Sequence, residues 1–379
     1  MKAVIMAGGE GTRLRPLTST VPKPLLPVAN RPMMEHVIDL LRNHGITDIV
    51  VTVAFMANSI RNYFGDGRDF GVSIEYVDEP EPLGTAGSVR NAMHLLSDDR
   101  FMVISGDVIT DIDLTSIVAY HDARGAMATI ALTPVDNPLE FGIVITREDG
   151  TIERFLEKPT WGQVFSDTIN TGIYVLEPSV FEYIEPGRSV DFSGEVFPAL
   201  LRDGKALYGA VAHGYWEDVG TLEAYLRAHT DVLDQMVRLR IPGFQIADGV
   251  WVGEGSEISP DAVIEGPAVI GPECVIEAGV TLGAYSVLGP HVRVLSGASL
   301  ERSIVQDNSF VGASAGDHAA ESGMEVPAEP ILFNKSPNTL VGPNDDVRMP
   351  RAATKLDYEV ELGIVIGRRT SYLASREEA

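Results

Sequence analysis

Between residues 246 and 300 an aliphatic side chain returns at every sixth position: Ile246, Val252, Ile258, Ile264, Ile270, Ile276, Leu282, Leu288, Val294 and Leu300. Neither a helix, with its period of 3.6, nor a half-buried flat strand, with its period of 2, produces a strict repeat of six. Ten consecutive hits in one register do not arise by chance. Gly253, Gly271, Gly283 and Gly289 supply turn positions between them. The register slips after Leu300, where Gln306 stands at the next expected aliphatic position, and regular hexads end near Gly312.

The repeat resembles the hexapeptide repeat of left-handed parallel β-helices, in which three hexads make one triangular coil. That resemblance predicts a β-helix domain over residues 245–312. A prism of this kind can carry an acyltransferase site on its flank, but His291 alone does not suggest one and reads as a surface residue. Edge strands of such coils often mediate self-association, so a homo-oligomer through the β-helix is an expectation.

Residues 1–240 have a different texture, alternating short β-rich runs with amphipathic helical stretches. Residues 2–6 form a buried-type strand, and Met34, Val37, Ile38 and Leu41 follow at helical spacing. Residues 48–54 predict a second strand, 85–96 a helix and 101–105 a further strand ending at Gly106-Asp107. The pattern is that of an α/β fold, a doubly wound and mostly parallel sheet with helices on both faces.

The chain's formal net charge of −25 argues against nucleic acid or an anionic membrane as a partner, since both require a basic footprint. Within residues 1–31, by contrast, Lys2, Arg13, Arg15, Lys23 and Arg31 face Glu10 alone, which marks the place where an anion would bind. Cys274 is the sole cysteine, so neither a disulfide framework nor a cysteine-based zinc site is available. No uninterrupted apolar stretch approaches membrane-spanning length, and the segment before Gly8 lacks the features of a secretion signal. A cytoplasmic protein is expected.

The basic segment contains the run Met6-Ala7-Gly8-Gly9-Glu10-Gly11-Thr12-Arg13-Leu14, followed by Pro16-Leu17-Thr18 and Pro22-Lys23-Pro24-Leu25. Glycines at a strand end, leading into a helix-bound segment, let backbone N–H groups approach phosphate oxygens without interference from a Cβ. The loop is neither the P-loop, which ends in Gly-Lys-Ser/Thr, nor the dinucleotide fingerprint.

This run resembles the signature of nucleoside-diphosphate-sugar pyrophosphorylases, and the hexads behind it strengthen the resemblance. The resemblance implies that Gly8, Gly9, Gly11 and Thr12 wrap a triphosphate, and that Arg13 and Lys23 stabilise its charge and that of departing pyrophosphate. Leu83-Gly84-Thr85-Ala86-Gly87 is similar to the segment that packs on the nucleobase, which implicates Gly84 and Thr85. Asp107 at the end of its strand and Asp218 in Trp216-Glu217-Asp218-Val219-Gly220-Thr221 match the carboxylate pair that holds Mg²⁺. The segments Glu140-Phe141-Gly142, Glu157-Lys158-Pro159 and Asn170-Thr171-Gly172 match those lining the sugar 1-phosphate pocket. Lys158 would pair with the sugar phosphate, Glu157 and Asn170 would hydrogen-bond sugar hydroxyls, and Gly142 would admit the ring.

What the resemblance implies is in-line attack of a sugar 1-phosphate oxygen on the α-phosphorus of a nucleoside triphosphate, assisted by positioning and charge stabilisation. The motif wording is most similar to the mannose-1-phosphate guanylyltransferases of the family, including those that append a phosphomannomutase-like module. GTP and mannose 1-phosphate are therefore the favoured substrates. Glucose-1-phosphate uridylyl or thymidylyl transfer, and a regulator that binds nucleotide sugar without turnover, are the alternatives.

Residues 313–379 do not continue the hexads. Asp317-His318-Ala319-Ala320-Glu321, Pro330-Ile331-Leu332-Phe333-Asn334-Lys335, Leu340-Val341-Gly342-Pro343 and Asp357-Tyr358-Glu359-Val360-Glu361 resemble the fumarylacetoacetate hydrolase family in order and spacing. The resemblance implies metal ligation by Glu359 and Glu361, whose carboxylates share one face of a strand, and a catalytic lid holding His318 and Glu321. A further metal-ligand Asp of that family lies beyond Ala379, so this segment is expected to be a truncated piece. A metal-dependent acylpyruvate hydrolase is the least favoured reading, and no hydrolase activity is expected.

Overall fold

The computed structural model describes residues 1–312. The expectations for His318, Glu321, Glu359 and Glu361 lie outside the described residues. No helix among the described residues is long and apolar enough to cross a membrane.

Strand β1 (Lys2–Ala7) is the centre of the first fold. Its alternate side chains enter two different cores, as strand geometry requires. Ala3, Ile5 and Ala7 pack against α1 (Met33–Asn43), α2 (Ala57–Phe64) and α4 (Leu114–Arg124) through Met34, Ile38, Leu41, Phe64 and Ile117. Val4 faces the opposite core, where α3 (Gly84–Asn91) and α5 (Phe197–Arg202) contribute Val89, Phe197 and Leu200.

The remaining strands of this sheet are β2 (Asp48–Val53), β3 (Ser73–Asp78), β4 (Phe101–Ser105), β6 (Ala128–Pro134), β7 (Gly142–Thr146), β8 (Ile152–Glu157), β9 (Thr168–Leu176) and β10 (Leu207–Val211). Their order is β8-β7-β9-β4-β1-β2-β3, with β6 joining β9 to β10. Strands β3, β2, β1 and β4 are all parallel, which is the doubly wound half predicted from the helix and strand alternation. Beyond β4 the sheet gains an antiparallel extension, because β9 runs against β4, β6 and β7. A separate ribbon pairs β5 (Val108–Thr110) with β11 (Trp216–Asp218) antiparallel. Helix α6 (Leu222–Leu233) closes this fold, docking Tyr225 and Val232 against Leu14, Val28 and Met33.

The hexads form a coil of short strands in three parallel sheets. Val250 pairs with Ala268 and Ala268 with Ser286, so one coil takes 18 residues. Ile270, Ile276, Leu282, Leu288 and Val294 are buried inside, with Val252 at its first turn. Two positions of the six-residue count change meaning. Ile246 lies on Phe244–Ala247, a strand that runs antiparallel to the coil, and is 60% exposed. At the other end Val287 pairs with Ile304, one residue fewer than a full coil, so Val305 and Val311 take the inward positions in place of Gln306. The slip after Leu300 is thus a shortened corner, and the coil continues through it.

Coil and sheet share an apolar contact in which Leu233 meets Val269 and Val287, flanked by Trp251, Tyr285 and Ile304. Tyr285 also donates its hydroxyl hydrogen to Asp234 at 2.9 Å.

Candidate active site

The loop after β1 makes three successive tight turns, Thr12–Leu14, Leu17–Ser19 and Lys23–Leu25, where the glycine pattern predicted entry into a helix. Gly11 begins the first at φ 65°, a left-handed conformation that favours glycine. A Cβ there would also lie 3.0 Å from both the Lys23 stem and Thr18, whose hydroxyl is bonded to the Gly11 carbonyl at 2.8 Å. Gly8 is packed as closely, with a Cβ position 3.1 Å from Glu79 Oε1, whereas Gly9 and Thr12 remain open to solvent.

Folding the loop back in this way buries Lys23, leaving 10% of its side chain exposed. Its ammonium contacts Asp107 Oδ2 and lies 3.8 Å from Asp218 Oδ1. The β5–β11 ribbon accounts for the meeting, since Asp218 pairs with Val108, the residue after Asp107. Burial opposes the charged form of Lys23, but Asp107 and Asp218 outweigh it and hold its pKa above the ordinary lysine value. Burial, and next the charge of Asp107, push the Asp218 carboxyl up to about 6. Arg13 stands at the mouth, 61% exposed, 3.4 Å from Glu140 Oε2. Its guanidinium passes so close to Gly220 that a Cβ there would lie 2.9 Å from Nη2.

The sugar-side candidates gather on the antiparallel extension. Gly142 of β7 pairs with Glu157 of β8, and a Cβ on Gly142 would fall 2.7 Å from Glu157 Oε2. That oxygen is buried without a hydrogen-bond partner, and burial followed by the charge of Asp191 raises the Glu157 pKa. Asn170 is buried, giving Nδ2 hydrogens to Tyr174 and Ser193 at 3.0 Å and accepting from Gly172 N–H at 2.9 Å. Lys158 is exposed, with its backbone N–H bonded to Phe141 O.

Gly84 and Thr85 have structural employment at the start of α3. Gly84 adopts φ 69° beneath the Val190 carbonyl, and Thr85 exchanges hydrogen bonds with Asp191 and Phe192.

Three contributors have no individual signal in the motifs. Trp216 knits the sugar side to the carboxylates, since its ring meets Phe141 edge-on at 5.4 Å and its Nε1–H donates to Thr171 O at 3.0 Å. Glu79 braces Gly8 and accepts from Ser88 at 2.6 Å. Asp191, in a stretch of ordinary turn composition, is the third. A carboxylate following a strand end was the only available clue to Glu79, and it is a weak one.

Two cations, a carboxylate pair and a glycine-rich loop brought together in this way can hold a polyphosphate with a hard cation. Comparison with known proteins gives the family. The Nucleotidyl transferase family model matches residues 2–235, the Bacterial transferase hexapeptide (six repeats) model residues 249–284, and the Fumarylacetoacetate (FAA) hydrolase C-terminal model residues 309–379. A UTP–glucose-1-phosphate uridylyltransferase from Synechocystis sp. is 38% identical over 330 residues, covering 83% of this chain and 85% of the relative. A mannose-1-phosphate guanylyltransferase from Mycobacterium tuberculosis is 38% identical over 306 residues, covering 79% and 83%. A Bacillus anthracis structure assigned as a glucose-1-phosphate thymidylyltransferase, in complex with sucrose, is 31% identical with a TM-score of 0.56, covering 61% of this chain and 94% of that one. With the family model spanning most of the chain and relatives of this identity covering four-fifths of it, the chain belongs to the nucleotidyl transferase family.

Proposed function

We propose that this protein is a sugar-1-phosphate nucleotidyltransferase, converting GTP and mannose 1-phosphate to GDP-mannose and pyrophosphate. The observation that carries the reading is Lys23 held between Asp107 and Asp218, with Arg13 beside them. A sugar 1-phosphate oxygen attacks the α-phosphorus, the bond from that phosphorus to the bridging oxygen breaks, and pyrophosphate leaves. Both reactants are polyanions, so positioned cations lower the barrier more than a covalent nucleophile would. Arg13 is exposed enough to exchange Glu140 for a phosphate, and Lys23 gives the α-phosphoryl oxygens a buried, permanently charged partner. On the other side, Glu157 and Asn170 orient the sugar while Lys158 meets its phosphate.

The paired carboxylates fit a divalent cation of the Mg²⁺ type, which takes one or two carboxylates and leaves its other positions to phosphate oxygens and water. Asp107 and Asp218 would hold such an ion, which would supply charge neutralisation and orientation of the triphosphate.

Guanylyl and mannosyl specificity is supported by the wording of Leu83-Gly84-Thr85-Ala86-Gly87 and Phe155-Leu156-Glu157-Lys158-Pro159 and by the mycobacterial relative. The Synechocystis relative supports UTP and glucose 1-phosphate as the second reading. Pyrophosphate release from each nucleoside triphosphate crossed with a panel of sugar 1-phosphates, in magnesium buffer, separates them. The highest kcat/KM is expected for GTP with mannose 1-phosphate; preference for UTP with glucose 1-phosphate selects the second reading. Saturable nucleotide binding without pyrophosphate release would mark a regulator instead.

A further inference from the structure

A single turn of chain touches two parts of the cleft that are distant in sequence. Thr85, at the start of α3, donates its hydroxyl hydrogen to Asp191 Oδ2 at 2.9 Å and accepts the Phe192 N–H at 2.9 Å. The other carboxylate oxygen of Asp191 accepts the N–H groups of Ser193 and Gly194 at 2.9 and 3.1 Å. Ser193 then receives Asn170 Nδ2 at 3.0 Å and faces the Glu157 carboxyl. The backbone reinforces the same junction, since Ala86 and Gly87 both direct their N–H groups at Val190 O, at 2.9 and 3.1 Å. Hydrogen bonds to a carboxylate are the stronger kind, and Asp191 makes three.

We propose that Asp191 is a positioning residue that holds the sugar-side pair Glu157 and Asn170 in register with the nucleotide-side helix start at Gly84 and Thr85. The inference rests on the nucleotidyltransferase reading of the site. In-line transfer requires the attacking oxygen and the α-phosphorus to be aligned at near-contact distance, and small misplacements are costly. Here the two substrates lie against different elements, so a turn whose Asp191 carboxylate holds Thr85 and whose Ser193 hydroxyl holds Asn170 removes the relative freedom that alignment must overcome. Asparagine keeps the Oδ1 contacts but puts an Nδ2 donor where Thr85 now finds a carboxylate oxygen, so the Thr85 hydroxyl must turn and the charge-assisted bond is lost.

The test is a double-mutant cycle in steady-state kinetics with Thr85→Val, Asp191→Asn and their combination, with Thr85→Ser as the conservative control. The best substrate pair of the wild type is used throughout. Although Thr85 is on the nucleotide side, Thr85→Val is expected to raise the KM for the sugar 1-phosphate at least about fivefold, and Thr85→Ser to leave it within about twofold. In the Asp191→Asn background, Thr85→Val should add less than about a further twofold, because the link is already broken. The proposal is overturned if Thr85→Val alters only the nucleotide KM, or if the two effects multiply. Should Asp191→Asn fail to fold, the contrast between valine and serine at position 85 decides the matter. Wild-type silence with every substrate pair overturns the nucleotidyltransferase reading and this inference with it; an active wild type with multiplying effects overturns this inference alone.

Discussion

Asn30 donates its side-chain amide to the carbonyl of Leu288 at 2.7 Å, tying the hairpin that pairs Pro27–Val28 with Arg31–Pro32 to a strand of the coil. Leu288 O also accepts the Gly271 N–H, so losing Asn30 removes one bond without orphaning the acceptor. Asn30 stands at φ 63°, in the left-handed region. Asn30→Ala should therefore lower unfolding free energy by about 1 kcal/mol through the lost hydrogen bond, and Asn30→Gly by less, because glycine adopts that conformation without the Cβ that asparagine and alanine both carry. Urea unfolding measures both; equal losses would refute the backbone part of the argument.

Asp218 sets function against stability. Its folded pKa of about 6 exceeds the ordinary aspartate value, so between the two the native state binds more protons than the unfolded one. Stability contributed by protonated Asp218 is present below the unfolded pKa and is lost as pH rises through about 6. Asp218→Asn, which imitates the protonated form, should melt a few degrees above wild type at pH 8 in metal-free buffer while kcat falls about a hundredfold or more. Adding Mg²⁺ should raise the melting temperature of wild type but not of the variant, and chelation should abolish pyrophosphate release.

His36 and His229 point the pH dependence the other way. Both are buried and hold the hairpin, His36 through Val28 O at 3.0 Å and His229 through Pro27 O at 3.2 Å. Burial depresses each pKa to about 4, so the unfolded chain binds more protons between about 4 and the ordinary histidine value. Stability is then lost as pH falls through that window, by up to about 1.4 kcal/mol per pH unit for each histidine. His229→Gln should flatten the acid limb of a stability profile measured from pH 7 to 4.5; an unchanged slope would assign the loss elsewhere.

At Gly142 a methyl group would enter the space of Glu157 Oε2 and of the Phe155 ring, whose Cζ would lie 2.8 Å away. Gly142→Ala is expected to raise the KM for the sugar 1-phosphate about tenfold, equivalent to about 1.4 kcal/mol of binding, with the nucleotide KM nearly unchanged. Comparable increases in both constants would mean that the substitution disturbs the whole cleft.

Every candidate residue of the transferase site precedes Gly312. A chain ending there should keep its pyrophosphate-releasing activity within about twofold of full length, a difference of a few tenths of a kcal/mol. Loss of activity on removing residues 313–379 would give that segment a role in the transfer reaction.

Much of the site was legible because its motifs carry chemistry locally. Arg13, Lys23, Asp107 and Asp218 were each singled out within their own segments, and all four come together. Thr85 was legible as a residue but not in its bonding, because Asp191 is its partner and nothing around Asp191 in the chain announces that contact. Trp216 was equally hidden, since an aromatic beside two carboxylates gives no indication that it will meet Phe141 and Thr171. Ile246 shows the opposite failure, a periodic hit that the antiparallel lead-in strand turns outward.

By itself, the sequence determined what depends on short-range chemistry. A period of six matched a stacked coil, alternating helix and strand patterns indicated a covered sheet, and clustered glycines and cations marked a candidate anion loop. Tertiary structure alone decided that Lys23 would be buried between Asp107 and Asp218, that a shortened corner would move Val305 into the core, and that Asp191 would link Thr85 to Ser193. Periodicity and turn propensity act over a few residues. Contacts between residues far apart along the chain depend on strand order and register, which emerge only when the whole core packs.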